Sequence, residues 1–248
     1  MSTEKTLAIV IRMADFSESS RVVTMFTREF GKIAAVAKGA KRMKGPFDAG
    51  LDLLSVCNIV FIRKSSASLD LLTEAKLQQR FKPKTGHLGS LYAGYYVAEL
   101  LDGLSEEYDA HPLLFDEALS ALGRFAGESP LDLSILRFEL LVLREIGQLP
   151  NFEDCLVCGK SVAGSGHYGF KVSQGGLICP TCLGDQPNRH RVSPETAAAL
   201  RALAAEGDEW TSRLVMPAQS RDMRNVVTAA ICHALGRQPK MGRYLGLW

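Results

Sequence analysis

No stretch of the 248-residue sequence holds the roughly 18 uninterrupted apolar residues that a bilayer-spanning helix requires. The N-terminus, Met1-Ser2-Thr3-Glu4-Lys5, runs straight into a strand-like segment and lacks the basic leader and apolar core of an export signal. A cytoplasmic protein with no membrane partner is therefore expected. Nucleotide-binding fingerprints are missing too. Gly159-Lys160-Ser161 imitates the end of a phosphate-binding loop, but Asp154 stands where that loop needs its first glycine. There is no paired-glycine dinucleotide motif and no nucleophile elbow. His87, His111, His167, His190 and His233 are scattered, with no acid at a suggestive spacing. Nothing here nominates a catalytic site or a nucleotide cofactor, so an enzyme is the poorer reading. No internal repeat or low-complexity tract is present either.

What is there begins with ordinary globular material. Hydrophobic residues make up 46% of the chain and charged residues 23%, enough apolar surface for real cores, so global disorder is excluded. The length suits two or three small domains. The net charge of +2 conceals a segregation. Residues 1–80 carry 13 basic against 8 acidic side chains, residues 81–154 carry 5 against 13, and residues 189–248 carry 9 against 5. Two basic ends flank an acidic middle, a weak hint of a polyanionic partner.

Residues 5 to about 80 read as five short strands: 7–11, 22–27, 33–37, 56–62 and 69–73. Their β-branched content and turn spacing fit a small, closed or nearly closed β barrel. The loop from Gly39 to Pro46 concentrates charge between the third and fourth. The period then changes. Leu88, Leu91, Tyr92, Tyr95, Leu101 and Leu104 mark a largely buried helix, and His111-Pro112 opens a second that runs to about Phe125. Ser129-Pro130-Leu131-Asp132 starts a third, whose apolar stripe runs from Leu133 to Ile146; the three are expected to form a bundle. Ser193-Pro194-Glu195 and Ser220 start two more helices, closed by Gly207 and by Gly236 with Pro239.

The most specific signal is Cys155-Leu-Val-Cys158 followed, after a 20-residue spacer, by Cys179-Pro-Thr-Cys182. Two residues between cysteines let both sulfurs of a tight turn reach one ion, and the spacer is close to that of four-thiolate zinc sites. Gly159 and Gly184 are expected to free backbone N–H groups to fold onto the sulfurs. Tyr168, Phe170 and Val172 alternate ahead of a turn at Ser173-Gln174-Gly175-Gly176, so a hairpin should return the second pair to the first. Redox use of the pairs needs a βαβ context that is absent, and catalytic zinc needs an open position and a base that nothing supplies. One structural zinc is the stronger reading. Cys57 and Cys232 read as small buried apolar residues.

Lys38, Lys41, Arg42 and Lys44 share the charged loop, with Arg21, Arg28 and Lys32 on nearby strands and turns. Phosphate binding needs cations along a groove, which small barrels often present. Phe16, Phe26, Phe30 and Phe47 offer rings for base stacking. A zinc-stabilised adaptor whose basic ends meet acidic proteins is the competing reading.

Several segments together resemble the bacterial recombination mediator family RecO. They are Glu18-Ser19-Ser20-Arg21-Val22-Val23-Thr24-Met25-Phe26-Thr27-Arg28-Glu29-Phe30-Gly31-Lys32 and Val36-Ala37-Lys38-Gly39-Ala40-Lys41-Arg42; then Arg137-Phe138-Glu139-Leu140-Leu141 and Gly147-Gln148-Leu149-Pro150; and the cysteine pairs, with Leu235-Gly236-Arg237 and Arg243-Tyr244-Leu245 at the end. The resemblance implies an α+β multidomain fold: an oligonucleotide-binding (OB) barrel over 1–80, helices over 81–154 and 189–248, and a zinc-binding insert over 155–188. It implies binding of single- and double-stranded DNA, annealing of complementary strands, and loading of the RecA recombinase with RecR onto strands coated by single-stranded-DNA-binding protein (SSB), near the nucleoid. DNA contacts carried over are Arg21, Arg28, Lys32, Lys38, Lys41, Arg42 and Lys44. The acidic tail of SSB would want an apolar pocket rimmed by cations; Arg213, Arg221, Arg224 and Arg237 are the candidates. The family's basic run after the loop is replaced here by Gly45-Pro46-Phe47-Asp48.

Overall fold

The computed structural model describes residues 2–42, 47, 51–64, 69–163, 166–184, 190–205, 207 and 217–247. The chain divides into two compact units, residues 1–131 and 132–248.

In the first unit five strands close into a barrel in the order β1-β2-β3-β5-β4. They are β1 (Ser2–Asp15), β2 (Arg21–Thr27), β3 (Gly31–Ala37), β4 (Val56–Arg63) and β5 (Asp70–Gln79). Closure depends on β1, which is long enough to serve two neighbours. Its first half pairs with β4 and its second half with β2, with a register shift between Val10 and Arg12. A short parallel ladder of β3 with β5 completes the ring. The period-2 pattern sends Val23, Met25, Ile33, Ala35, Ile59, Phe61 and Leu72 inward, all at most 2% exposed. All five predicted strands are present, although β1 and β5 run well beyond their apolar centres.

Helices α1 (Leu88–Leu104) and α2 (Pro112–Ala126) pack on each other, and α1 also packs on β1. Phe115 of α2 stacks on Phe26 of β2 with ring centroids 6.3 Å apart. The turn from β2 to β3 is pinned against the segment joining the two helices. Gly31 adopts φ +66°, and a Cβ on it would lie 1.8 Å from the Asp109 carbonyl oxygen. Only glycine fits there. The Tyr108 N–H donates to the Lys32 carbonyl (3.0 Å), and Thr27 Oγ1 donates to the Gly31 carbonyl (2.8 Å).

The second unit contains α3 (Leu131–Glu145), α4 (Pro180–Leu183), α5 (Pro194–Ala204) and α6 (Pro217–Leu235), with a small sheet. The three central helices therefore divide, α1 and α2 grouping with the barrel and α3 with the C-terminal helices. Periodicity shows that a helix has an apolar face but not which element covers it. For α3 the covering is nearly complete, because every residue from Ser134 to Leu143 is buried. Its two arginines satisfy the carbonyls that end α5. Arg137 donates to Leu203, Ala205 and Gly207, and Arg144 to Ala204 at 2.9 Å. Ser193 caps the other end of α5 by accepting from the Thr196 N–H.

Candidate nucleic-acid interface and metal site

At the β1–β2 end of the barrel, Asp15, Arg21, Ala40, Lys41, Arg42, Phe47, Leu51, Asp52 and Arg80 line an open groove of about 520 Å³. Register explains part of this. Asp15 sits opposite Arg21, Arg21 sits opposite Ala37 on β3, and the chain leaves β3 directly into Lys38–Arg42. The Lys41 N–H bonds to the Ser19 carbonyl (3.1 Å) and its Nζ to the Ser17 carbonyl (3.1 Å), which holds the loop against the β1–β2 turn. Three arginines and a lysine thus converge on one surface, Arg80 arriving from just past β5.

Two carboxylates share the groove and hold these cations in place. Asp15 lies 2.9 Å from Lys41 Nζ and 3.3 Å from Arg21 Nε, and Asp52 lies 3.8 Å from Arg80. The hydrogen bond from Lys41, with Arg21 beside it, keeps the Asp15 carboxyl below its ordinary pKa. Their carboxylates are solvent-exposed, so the pairs are individually weak.

The seven predicted DNA contacts do not form one surface. Arg21, Lys41 and Arg42 line the groove, and Lys38 is exposed just after β3, outside the groove lining. Lys44 lies outside the described residues. Arg28 and Lys32 sit at the opposite end of β2, turned to the helices. The Arg28 guanidinium grips Asp116 of α2 through two 3.0 Å hydrogen bonds, and Lys32 Nζ donates to the Asp102 carbonyl of α1 at 2.6 Å. Of the four phenylalanines, Phe26 and Phe47 are buried, Phe30 packs edge-on against Phe61 at 5.5 Å, and only Phe16 is widely exposed.

In the second unit, Cys155 ends β6 (Asn151–Cys155) and Cys158 closes the turn after it. The hairpin of β7 (Tyr168–Lys171) and β8 (Gly176–Ile178) carries the chain back to Cys179 and Cys182, as expected, and β9 (Arg191–Val192) completes a sheet of order β6-β8-β7-β9. The four Sγ atoms lie within 4.8 Å of one another, with Cys158 and Cys179 3.8 Å apart. Zinc–sulfur bonds of about 2.3 Å in a tetrahedron set the sulfurs about 3.8 Å apart, so the cluster fits a closed four-thiolate ion. The glycines play a different part from the expected one. Gly159 and Gly184 take positive φ, but their N–H groups bond to the Cys155 and Pro180 carbonyls. The Cys179 N–H, not a glycine's, reaches Cys155 Sγ at 3.3 Å. Burial opposes ionisation of Cys155, yet the N–H groups of Cys179, Cys158 and Val157 outweigh it and draw the thiol down to about 6. Cys57 is fully buried, and burial raises its thiol to about 11, as suits a core residue.

Over nearly its whole length the sequence matches known proteins. The family profile "Recombination protein O N terminal" covers residues 1–81, and "Recombination protein O C terminal" covers residues 87–243. The chain belongs to the RecO family. Among curated relatives it is similar to the DNA repair protein RecO of Rhodopirellula baltica, 38% identical over 96% of this chain and 97% of the relative. It is likewise similar to that of Anaeromyxobacter dehalogenans strain 2CP-C, at 32% over 99% and 96%. The Listeria monocytogenes protein of that name is 33% identical over 81% of this chain. The family gives the chain a role in DNA repair and recombination, carried by an α+β fold with an N-terminal OB barrel and a four-cysteine cluster able to hold a metal ion. Among the described residues no helix is long and apolar enough to cross a membrane.

The predicted partner-binding arginines separate as well. Arg224 is a structural residue. It pairs with Glu139, which is fully buried on α3, and donates to the Asp132 carbonyl at 3.1 Å. Arg221 and Arg237 are exposed, and Arg213 lies outside the described residues. A hollow of about 460 Å³ opens where β6 meets α5, lined by Leu149, Pro150, Phe152, Arg201 and Ala204 among others. Arg201 there bonds to the Phe152 carbonyl (2.8 Å) and lies 3.5 Å from Glu153.

Proposed function

We propose that this chain is a non-enzymatic recombination mediator. It binds single- and double-stranded DNA through the barrel groove, anneals complementary strands, and acts with RecR to load RecA onto SSB-coated DNA. The observation that carries the DNA-binding part is the convergence of Arg21, Lys41, Arg42 and Arg80 on one open groove. Four cations along a groove neutralise successive phosphates without reading sequence, and they leave base edges free for a second strand. The exchangeable Asp15 and Asp52 pairs suit transient holding, which annealing requires because both strands must be released as duplex. Annealing, RecA loading and the RecR partnership rest on family membership.

The four cysteines are proposed to hold one structural zinc. The four thiolates would fill a tetrahedral ion's coordination positions, so the ion would tie β6 and the β7–β8 hairpin together. The acidic, apolar tail of SSB is proposed to meet the exposed Arg221 and Arg237 near the last helix, because Glu153 and Asp154 line the hollow beside Arg201 and would repel it.

The test is strand annealing with both strands coated by SSB. Adding the chain should accelerate annealing, and the Arg21→Ala, Lys41→Ala, Arg42→Ala triple variant should abolish the gain. Equal acceleration by that variant would remove the groove from the account. No binding of any oligonucleotide at low salt would favour a zinc-stabilised protein adaptor.

A further inference from the structure

Phe16 is 62% exposed at the first position of the turn joining β1 to β2. A lone exposed ring is common on protein surfaces and signifies nothing by itself. This one differs in its setting. Asp15 on one side and Arg21 at the turn's far end both line the basic groove. The turn is also tightly braced. The Phe16 and Ser17 N–H groups donate to the Ser20 carbonyl at 3.0 and 3.2 Å, and the Ser20 N–H donates to Ser17 Oγ at 3.2 Å. Lys41 ties the same turn to the basic loop through the Ser17 and Ser19 carbonyls. A ring on a fixed backbone loses no backbone freedom when it binds, and this one sits between two residues that line the groove, Asp15 and Arg21.

We propose that Phe16 stacks on an unpaired base of the strand held in the groove, and so makes this turn the element that favours single-stranded over duplex DNA. The inference rests on the groove being the DNA site. Every base has a flat face, so such a contact adds affinity without sequence preference. In a duplex those faces are already stacked on one another, and reaching one means unstacking a base step. Phe16 therefore contributes to binding of single strands and little to binding of duplex. The other three rings do not substitute for it: Phe26 and Phe47 lie in the core and Phe30 is packed on Phe61.

The experiment uses the full chain with three probes: oligothymidine, an abasic strand of equal length, and a duplex. Phe16→Ala should weaken oligothymidine binding about tenfold, with the salt dependence unchanged, because stacking releases no counterions. The abasic strand and the duplex carry the same phosphates and should bind the variant within about twofold of the parent. Phe16→Trp should restore affinity, and its emission should fall when oligothymidine is added, beyond any change from Trp210 and Trp248 in the parent. Unchanged oligothymidine affinity in Phe16→Ala overturns the proposal. So does an equal loss for all three probes, which would mean that the ring only shapes the turn. Failure of the parent chain to bind any probe at low salt instead overturns the groove assignment on which the proposal stands.

Discussion

The barrel's cations fall into two sets with opposite expected responses to substitution. Arg21, Lys41, Arg42 and Arg80 line the groove, whereas Arg28 and Lys32 are turned to Asp116 and the Asp102 carbonyl. If each of the four groove cations neutralises one phosphate of a single strand, log K falls with log salt at a slope of about −2.8. Raising salt from about 50 to about 200 mM should then weaken binding about 50-fold, on the groove contribution alone. Replacing Arg21, Lys41 and Arg42 by alanine leaves one such cation, a slope of about −0.7, and a loss of only about threefold over the same range. Arg28→Ala with Lys32→Ala should leave the slope alone and lower the urea midpoint instead, since it frees α1 and α2 from the β2–β3 turn. Fluorescence anisotropy across a salt series measures the first response and chemical denaturation the second. Asp15→Asn is the complementary arm: it releases Lys41 and Arg21, so DNA binding should tighten. The Asp15 pKa is lowered, so its charge is complete above the ordinary aspartate range and is lost only as pH falls below that range. Asparagine therefore mimics a state that neutral pH does not reach. A slope that drops for Arg28→Ala and Lys32→Ala and holds for the groove variant would refute the division.

Three further outcomes follow from single contacts. Gly31→Ala should cost at least about 3 kcal/mol, combining a left-handed backbone with a collision against the Asp109 carbonyl. Gly86→Ala shares the left-handed backbone but has no atom within 4 Å of the added Cβ, and it should cost only about 1–2 kcal/mol by urea denaturation. Arg224→Ala should cost about 3–5 kcal/mol, because it removes a guanidinium from the fully buried Glu139, while exposed Arg221→Ala should stay within about 0.5 kcal/mol. The parent chain should bind one metal ion by elemental analysis, and Cys155→Ser with Cys158→Ser should abolish that binding and lower the melting temperature. DNA affinity of the folded fraction should persist, since the groove belongs to the other unit.

Much of this architecture was legible in the sequence, for a physical reason in each case. The four-cysteine spacing dictates a local turn, so the cluster follows from a few residues. Strand centres such as Ile33-Ala34-Ala35-Val36-Ala37 carry their own periodicity. Strand ends were harder. β5 reads as 69–73 from its apolar run, but Glu74, Lys76 and Gln78 alternate with Ala75 and Leu77, so the strand continues to Gln79. Following that alternation would have brought Arg80 into view as a residue at a strand end. Sequence proximity also merged Arg21 with Arg28. The seven residue steps from one to the other along an extended strand correspond to about 23 Å, which places one at the groove and the other beside α2. Which partner a charge finds is a tertiary fact. The Arg137-Phe138-Glu139 run reads as an amphipathic helix segment, yet both charges point into the second unit, one capping α5 and the other holding Arg224.

The same reasoning changes what the charge segregation means. A basic first segment beside an acidic second one suggests two surfaces, one for DNA and one that repels it. In the first unit the acids of α1 and α2 instead meet barrel cations. Asp116 engages Arg28, Asp102 lies 3.8 Å from Arg12, and its carbonyl takes the Lys32 ammonium. The helices therefore neutralise one end of β2 and leave positive potential at the other, where the carboxylates lining the groove among the described residues, Asp15 and Asp52, sit in exposed and exchangeable pairs. With the groove as the proposed DNA site, a strand arriving by electrostatic attraction is directed there because the helix end has no excess charge to offer. On that proposal the acidic segment contributes to DNA binding indirectly, by setting where on the barrel the phosphate chain is held.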